Sequence, residues 1–220
     1  MKKIITIAIV VLLVLGFGFF LFKISPEQQQ TQSQTTEDFD LSGVKKLSEP
    51  ALATAEDRTL GNVSAKNTLL VYEDYQCPAC ALAADTLKQL SQQLPDTKFV
   101  FRNFPLYQIH KNAIVSAYAA ESAGEQGKYW EMHDLLYKNQ KDWSSLANPL
   151  DYFARLASQA GVINLEQFKT DITSKRFKNK IQKDLVEALG LSIPGTPAIY
   201  FNGKVIANNS LENMKKEAEQ

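Results

Sequence analysis

Along this chain one uncharged, largely apolar run, Ile4 to Phe22, precedes a region where apolar residues recur at strand and helix spacings. Leu69-Leu70-Val71-Tyr72 is a short continuous run and predicts a buried strand over 68–75. Leu82, Ala83, Leu87, Leu90 and Leu94 then follow helical spacing, predicting a helix over 78–93 that stops before Pro95. Lys98-Phe99-Val100-Phe101-Arg102 reads as a second strand. From about 108 to 190 every pattern is helical. Small residues fill Ala113 to Ala123, and Tyr129, Met132, Leu136 with Trp130, His133, Tyr137 mark the next helix. Asn148-Pro149 opens a helix that Gly161 closes, and Asn164 with Gln167 forms a capping-box-like start. Ala198-Ile199-Tyr200-Phe201 and Lys204-Val205-Ile206 flank Asn202-Gly203, a strong hairpin signal, with a short helix from about Leu211. The order is strand, helix, strand, a helical block, hairpin and helix.

The apolar run changes the picture of compartment. Its 19 residues span roughly 28 Å, close to the ~30 Å hydrocarbon core. It is longer than the apolar region of a secretory signal and ends Phe19-Phe20-Leu21-Phe22 rather than in a small-residue cleavage site. A single membrane anchor through residues 4–22 is therefore expected, with a cleaved signal peptide and a secreted or periplasmic product as the alternative. Lys2 and Lys3 put the N-terminus in the cytoplasm and the bulk of the chain outside. Ser25 to Asp38 is Gln-, Thr- and Ser-rich without an aliphatic or aromatic residue, the composition of a flexible tether. The expected organisation is an anchor over 1–23, a flexible linker over 24–54 and one domain over 55–220, with a helical insertion at about 108–190. Outside the membrane, 24 acidic residues face 21 basic ones once Lys2, Lys3 and Lys23 are set aside. That balance gives no electrostatic footprint for nucleic acid. The basic stretch Lys175 to Lys180 belongs to a helix carrying Phe177, Ile181, Leu185 and Leu189, so its lysines form a solvated face.

The chemistry is concentrated in Cys77-Pro78-Ala79-Cys80, the only two cysteines of the chain. Residues three apart on a helical turn have Cα atoms roughly 5–5.5 Å apart, within the disulfide range of about 4.4–6.8 Å. Pro78 suits the first helical position, leaving Cys77 at the helix start and Cys80 in the first turn. The N–H groups and macrodipole of that end stabilise a thiolate, so Cys77 should be the reactive member. A zinc site would need two further ligands, and only His110 and His133 are available as histidines, with nothing placing them near the pair. Two inert buried cysteines are the other reading, against which an exposed helix terminus at Pro78 speaks. The second element, Pro194-Gly195-Thr196-Pro197 before the hairpin, reads from sequence alone as an ordinary turn.

Taken together these motifs resemble the DsbA family of thiol:disulfide oxidoreductases, and in particular its membrane-anchored bacterial envelope members. The resemblance covers roughly residues 55–220. It rests on Glu73-Asp74-Tyr75-Gln76-Cys77-Pro78-Ala79-Cys80, Phe101-Arg102-Asn103-Phe104-Pro105-Leu106, Gly127-Lys128-Tyr129-Trp130-Glu131-Met132-His133-Asp134 and the Gly195-Thr196-Pro197 stretch. It implies an α/β thioredoxin-like fold with a helical insertion, preceded by a single transmembrane helix. It also implies that Thr196–Pro197 is cis and lies against the cysteine pair, where its backbone receives an extended substrate chain. Two departures stand out. Many relatives carry an acidic residue six positions before the first cysteine; here that position is Val71, so any proton-transfer role must pass to Glu73, Asp74 or water. The dipeptide between the cysteines is Pro-Ala, and Ala79 has no side-chain donor for the Cys77 thiolate. The expected potential lies between about −120 mV for DsbA and about −270 mV for thioredoxin.

The resemblance implies thiol–disulfide exchange on reduced secreted or envelope proteins. Cys77 would form the mixed disulfide and Cys80 would resolve it, with no metal and no organic cofactor. Reoxidation falls to a membrane partner, a quinone-linked oxidase. Three alternatives remain at this level: a reductase or isomerase on the same fold, a non-catalytic envelope chaperone that binds peptides in the same groove, and a zinc-binding module.

Overall fold

The computed structural model describes residues 39–206 together with Asn213, Lys215 and Lys216. The anchor expected over 4–22 and the first part of the linker lie outside the described residues, as does most of the helix expected from about Leu211. Among the described residues no helix is long and apolar enough to cross a membrane.

Among the described residues five strands form one sheet: β1 (Arg58–Gly61), β2 (Asn67–Glu73), β3 (Thr97–Asn103), β4 (Ala198–Phe201) and β5 (Lys204–Val205), in the order β1-β3-β2-β4-β5. β2 and β3 run parallel, and all other neighbours are antiparallel. The parallel pair is joined by α1 (Pro78–Gln93), the helix that follows the cysteine turn. Between β3 and β4 the chain inserts six helices: α2 (Ala113–Glu125), α3 (Tyr129–Lys138), α4 (Gln140–Trp143), α5 (Leu150–Ala160), α6 (Leu165–Thr173) and α7 (Lys178–Gly190).

The strand period sorts side chains between two cores. Leu69 and Val71 of β2, with Phe99 and Phe101 of β3, pack against Leu87 and Leu90 of α1. Leu70, Tyr72 and Val100 point the other way, into the larger core built from the inserted helices. Successive strand residues face opposite sides, so a continuous apolar run is what a sheet covered on both faces requires. Val71, completely buried, belongs to the α1 face. Register explains how residues far apart in sequence meet: Tyr72 pairs with Ala198. The end of β2, which leads into Cys77, therefore lies beside the start of β4, which follows Thr196–Pro197.

Local signals behave as the residues dictate. Gly161 closes α5 in the left-handed region at φ 84°, and the Asn164 side chain accepts from Gln167 N at 2.9 Å. Asn202 and Gly203, at φ 47° and 83°, make the turn between β4 and β5. Asn148 Oδ1 accepts from Leu150 N at 3.1 Å, and the helix begins after Pro149, one residue later than expected.

Two features differ from expectation. β1 pairs through Arg58↔Phe101 to Gly61↔Lys98, although Arg-Thr-Leu-Gly carries a single apolar residue and no alternation. Residues 39–54, assigned to the flexible linker, are a docked strap. Phe39 is buried and its ring lies 6.3 Å from that of Tyr107. Leu47 N donates to Gly190 O at 2.8 Å and Ala51 N to Glu187 Oε1 at 2.5 Å. Arg102 donates to Ala51 O and Leu52 O at 3.2 Å each, and pairs with Asp57 at 2.9 Å and Glu187 at 2.6 Å. The strap stays docked because these carboxylates and carbonyls satisfy a guanidinium that is itself buried.

Candidate active site

Cys77 is the N-cap of α1, with φ −73° and ψ 121°, and Pro78 occupies the first turn. The preceding turn is closed by Cys77 N donating to Asp74 O at 3.0 Å. Cys77 is 8% exposed and Cys80 2%, and both are free thiols. Thr196–Pro197 is cis, and the Cys77 thiol donates to Thr196 O at 3.3 Å. The structure thus brings Cys77, Cys80, Pro78, Ala79, Thr196 and Pro197 to one place, at the meeting of β2, α1 and β4.

The two thiols differ in acidity for physical reasons. The Cys80 thiol, hydrogen-bonded to the Cys77 sulfur, does most to lower the Cys77 pKa, which reaches about 5 against the opposing effect of burial. Thr196 and the backbone N–H groups of Cys80 and Ala79 add to it. Thr196 Oγ1 is buried without a hydrogen-bond partner while Cys77 is a thiol, so its hydrogen is available to the sulfur once Cys77 ionises. Ala79, mute as a side chain, contributes through its backbone. Cys80 is pushed well above the ordinary thiol range, chiefly by burial and then by the neighbouring Cys77. One sulfur is held as a thiolate near neutrality and the other as a thiol.

Glu73 and Asp74, the two acids that follow Val71, are both buried. Asp74 is saturated: its carboxylate accepts from Gln76 N at 2.7 Å and Leu106 N at 2.9 Å, and contacts His110 Nδ1 at 2.7 Å. Burial is the main influence on its pKa, which is raised. Glu73 Oε1 lies 3.3 Å from His133 Nε2. The His133 ring sits among Tyr75, Phe101, Tyr129, Trp130 and Tyr137, with centroids 5.0–6.2 Å away. Burial opposes its charge, but Glu73 and Asp134 prevail and raise its pKa to about 9. The two histidines are thus engaged by carboxylates beside the cysteine turn rather than gathered with the cysteines. Among the described residues no cluster of three or more His, Cys, Asp or Glu side chains is arranged for a metal ion.

Comparison with known proteins agrees with this geometry. The family model described as "Thioredoxin" matches residues 53–219. The chain belongs to the thioredoxin family. It is similar to the probable disulfide bond formation protein D of Bacillus cereus, 32% identical over 74% of this chain and 78% of that protein. Its structure is similar to that of BdbD from Bacillus subtilis in the oxidised state, with TM-score 0.70 and 26% identity, covering 80% of this chain and 97% of the other. It also matches the Na(+)/H(+) antiporter NhaA 1 of Salinispora arenicola at 34% identity, over 67% of this chain but only 22% of the antiporter. The chain therefore spans about a fifth of the length of that antiporter. Within the thioredoxin family, the likeness to the disulfide bond formation protein and to BdbD makes it a DsbA-like member.

The residues alone point to the cysteine turn, whereas Thr196–Pro197 and a proton-transfer role for Glu73 or Asp74 come only through the family resemblance. Sequence reasoning missed His133 as a partner of Glu73, and it missed Gln76, Asn112 and Gln140, which hold the turn. Gln76 Oε1 accepts from Asn112 N at 2.6 Å, and Asn112 Nδ2 donates to the carbonyls of Trp143, Ser144 and Leu146 at 3.0–3.2 Å. Isolated polar residues within helical patterns carry no periodic signal for such contacts.

Proposed function

We propose that this chain is a protein-disulfide oxidoreductase that introduces disulfides into reduced secreted or envelope proteins. The observation that carries the reading is the unequal pair of thiols, with Cys77 held near pKa 5 beside a Cys80 held well above the usual range. A stabilised Cys77 thiolate favours the reduced enzyme, which is what makes the oxidised pair an oxidant. In the first step a substrate thiolate attacks the Cys77 sulfur. The Cys77–Cys80 bond breaks, a mixed disulfide forms, and Cys80 leaves and takes up a proton. A second substrate thiolate then attacks the substrate sulfur of that bond and expels Cys77 as a thiolate. The substrate loses two electrons and gains a disulfide; the enzyme gains the two electrons as one thiol and one thiolate. In this reading the Thr196–Pro197 backbone receives the substrate strand, since proline offers no N–H beside the sulfurs.

A membrane quinone-linked oxidase is the proposed electron acceptor. Residues 4–22 would hold the catalytic domain at the outer face of the cell membrane near it. The test combines potential and product. The Cys77–Cys80 pair, equilibrated in glutathione buffers, is expected to lie above about −270 mV, and the oxidised protein is expected to form disulfides in a reduced, unfolded substrate, with Cys77→Ala inactive. A potential at or below the thioredoxin value would make the chain a reductase. Unchanged suppression of aggregation in Cys77→Ala, with no exchange in the wild type, would make it a chaperone. In cells that express the full chain, carbonate-resistant full-length protein fits the anchor, whereas a shortened soluble form replaces it with a cleaved signal.

A further inference from the structure

α4 is a single turn of helix, 60 residues from the cysteine pair in sequence, yet it reaches the backbone around Cys77. Gln140, its first residue, is 8% exposed, and its carboxamide Nε2 donates to Tyr75 O at 2.8 Å and to Cys77 O at 2.9 Å. These are the carbonyls on either side of Gln76, and Cys77 O also accepts the first helical hydrogen bond of α1, from Ala81 N at 3.2 Å. Both hydrogens of one amide are thus spent on one turn of main chain. The other face of the turn is gripped by the same region, through Gln76 Nε2 donating to Ser144 O at 3.1 Å. α4 is itself fixed by Trp143, fully buried, whose Nε1 donates to Leu136 O at 2.8 Å.

We propose that Gln140 is a positioning residue for the exchange reaction: by clamping the carbonyls of Tyr75 and Cys77, it lets the helical insertion hold the Cys77 sulfur over the N–H groups that begin α1. The inference deepens the oxidoreductase reading and rests on it for its meaning. Gln140 touches no sulfur. It acts on the backbone torsions that aim Cys77, and the sulfur's hydrogen bonds to main-chain N–H groups depend on those torsions. Hydrogen bonds to an ionised group are directional and short, so a turn that loosens loses alignment at the thiolate before it loses its fold.

The inference separates from simple packing by variants that keep volume. Gln140→Met preserves length and removes both donors. Gln140→Glu preserves shape and sets a carboxylate against two carbonyls. Asn139→Ala, which deletes the Asn139 Nδ2 contact to Leu135 O at 2.8 Å, is the structural control because it loosens the same segment without touching the turn. In the full-length reduced protein, ultraviolet thiolate absorbance reads the Cys77 midpoint. It is expected to rise by about one unit in Gln140→Met, the scale of one lost backbone hydrogen bond, and further in Gln140→Glu. The potential should move with it, toward less oxidising values. Asn139→Ala should lower the melting temperature and leave the midpoint in place. A wild-type midpoint in both Gln140 variants, or an equal shift in Asn139→Ala, overturns the inference. Should the Met variant not fold, the Glu variant alone decides between these outcomes. Because the midpoint is read on the reduced protein without substrate, failure here leaves the oxidoreductase reading untouched, and absence of exchange activity leaves this measurement intact.

Discussion

Cys77 is 8% exposed, and burial on its own would keep its thiol protonated. The Cys80 thiol, Thr196 and the N–H groups of Cys80 and Ala79 together overcome that penalty and bring the pKa from 9.0 to about 5. The direction of the linkage follows. An unfolded chain keeps the Cys77 proton until about pH 9, while the folded one gives it up at about pH 5. The resulting stabilisation of the reduced protein is complete above that upper value and disappears as the pH falls through the lower one. The same protons set the pH dependence of the potential. Below about pH 5 two protons accompany the two electrons, and the potential should fall by about 59 mV per pH unit; above it only Cys80 takes a proton, and the slope should halve to about 30 mV. Potentials measured in buffered glutathione across the acid and neutral range should show that break. A single steep slope through neutrality would mean that Cys77 is no thiolate there.

β2 and α3 meet through Glu73 and His133, and this contact joins the strand that carries the cysteine turn to the helical insertion. The His133 pKa is raised from 6.5 to about 9, with Glu73 the leading favourable cause against burial. Its stabilisation is present in full below the lower value and is lost as the pH rises through the upper one. Glu73→Gln leaves an imidazolium buried among five aromatic rings with only the partly exposed Asp134, 3.1 Å from its Nδ1, as counter-charge. The expected cost is a fraction of the roughly 3 kcal/mol or more of an outright broken buried pair. Urea unfolding of the oxidised protein is the measurement, because Cys77 does not titrate there. The variant should be weakened most in mild acid and should approach the wild type in alkali; a deficit that does not change with pH would deny the pair its charge. Elements of this kind also mark how far the sequence could be read. β2, α1, β3 and the β4–β5 hairpin were legible because period and turn residues agree in each. β1 was not, since Arg58-Thr59-Leu60-Gly61 becomes a strand only by pairing with β3. The cysteine turn was legible from its own four residues, whereas Gln140 and His133 reach it through tertiary contacts that no local pattern encodes.

At the scale of the molecule, the strap over residues 39–54 turns a sheet-and-helix domain into one whose leading segment lies along α7. The linker boundary at 54 passed over it, because its anchorage is mostly backbone to side chain: Asp40 N to Gln182 Oε1 at 2.9 Å, Ala51 N to Glu187 Oε1, and two carbonyls to Arg102. Gly190 is the point where side-chain volume decides the matter. A Cβ there would stand 2.4 Å from Lys45 O and 3.2 Å from the Leu47 side chain, while Gly190 O accepts from Leu47 N. Backbone cannot yield as a flexible side chain can, so an added methyl must push the strap outward or shift the end of α7. Gly190→Ala is therefore expected to cost about 1–3 kcal/mol, the range for overpacking a fitted site. The loss should be local in origin. Hydrogen exchange should quicken at Leu47 and Ala51, whose N–H groups bond to α7. The Cys77 midpoint should stay where it is, since the side-chain hydrogen bonds that hold the cysteine turn run to Gln140, Asn112 and Ser144 rather than to α7 or the strap. Exchange at Leu47 and Ala51 indistinguishable from the wild type, with stability unchanged, would show that the close approach at Gly190 does not hold the strap.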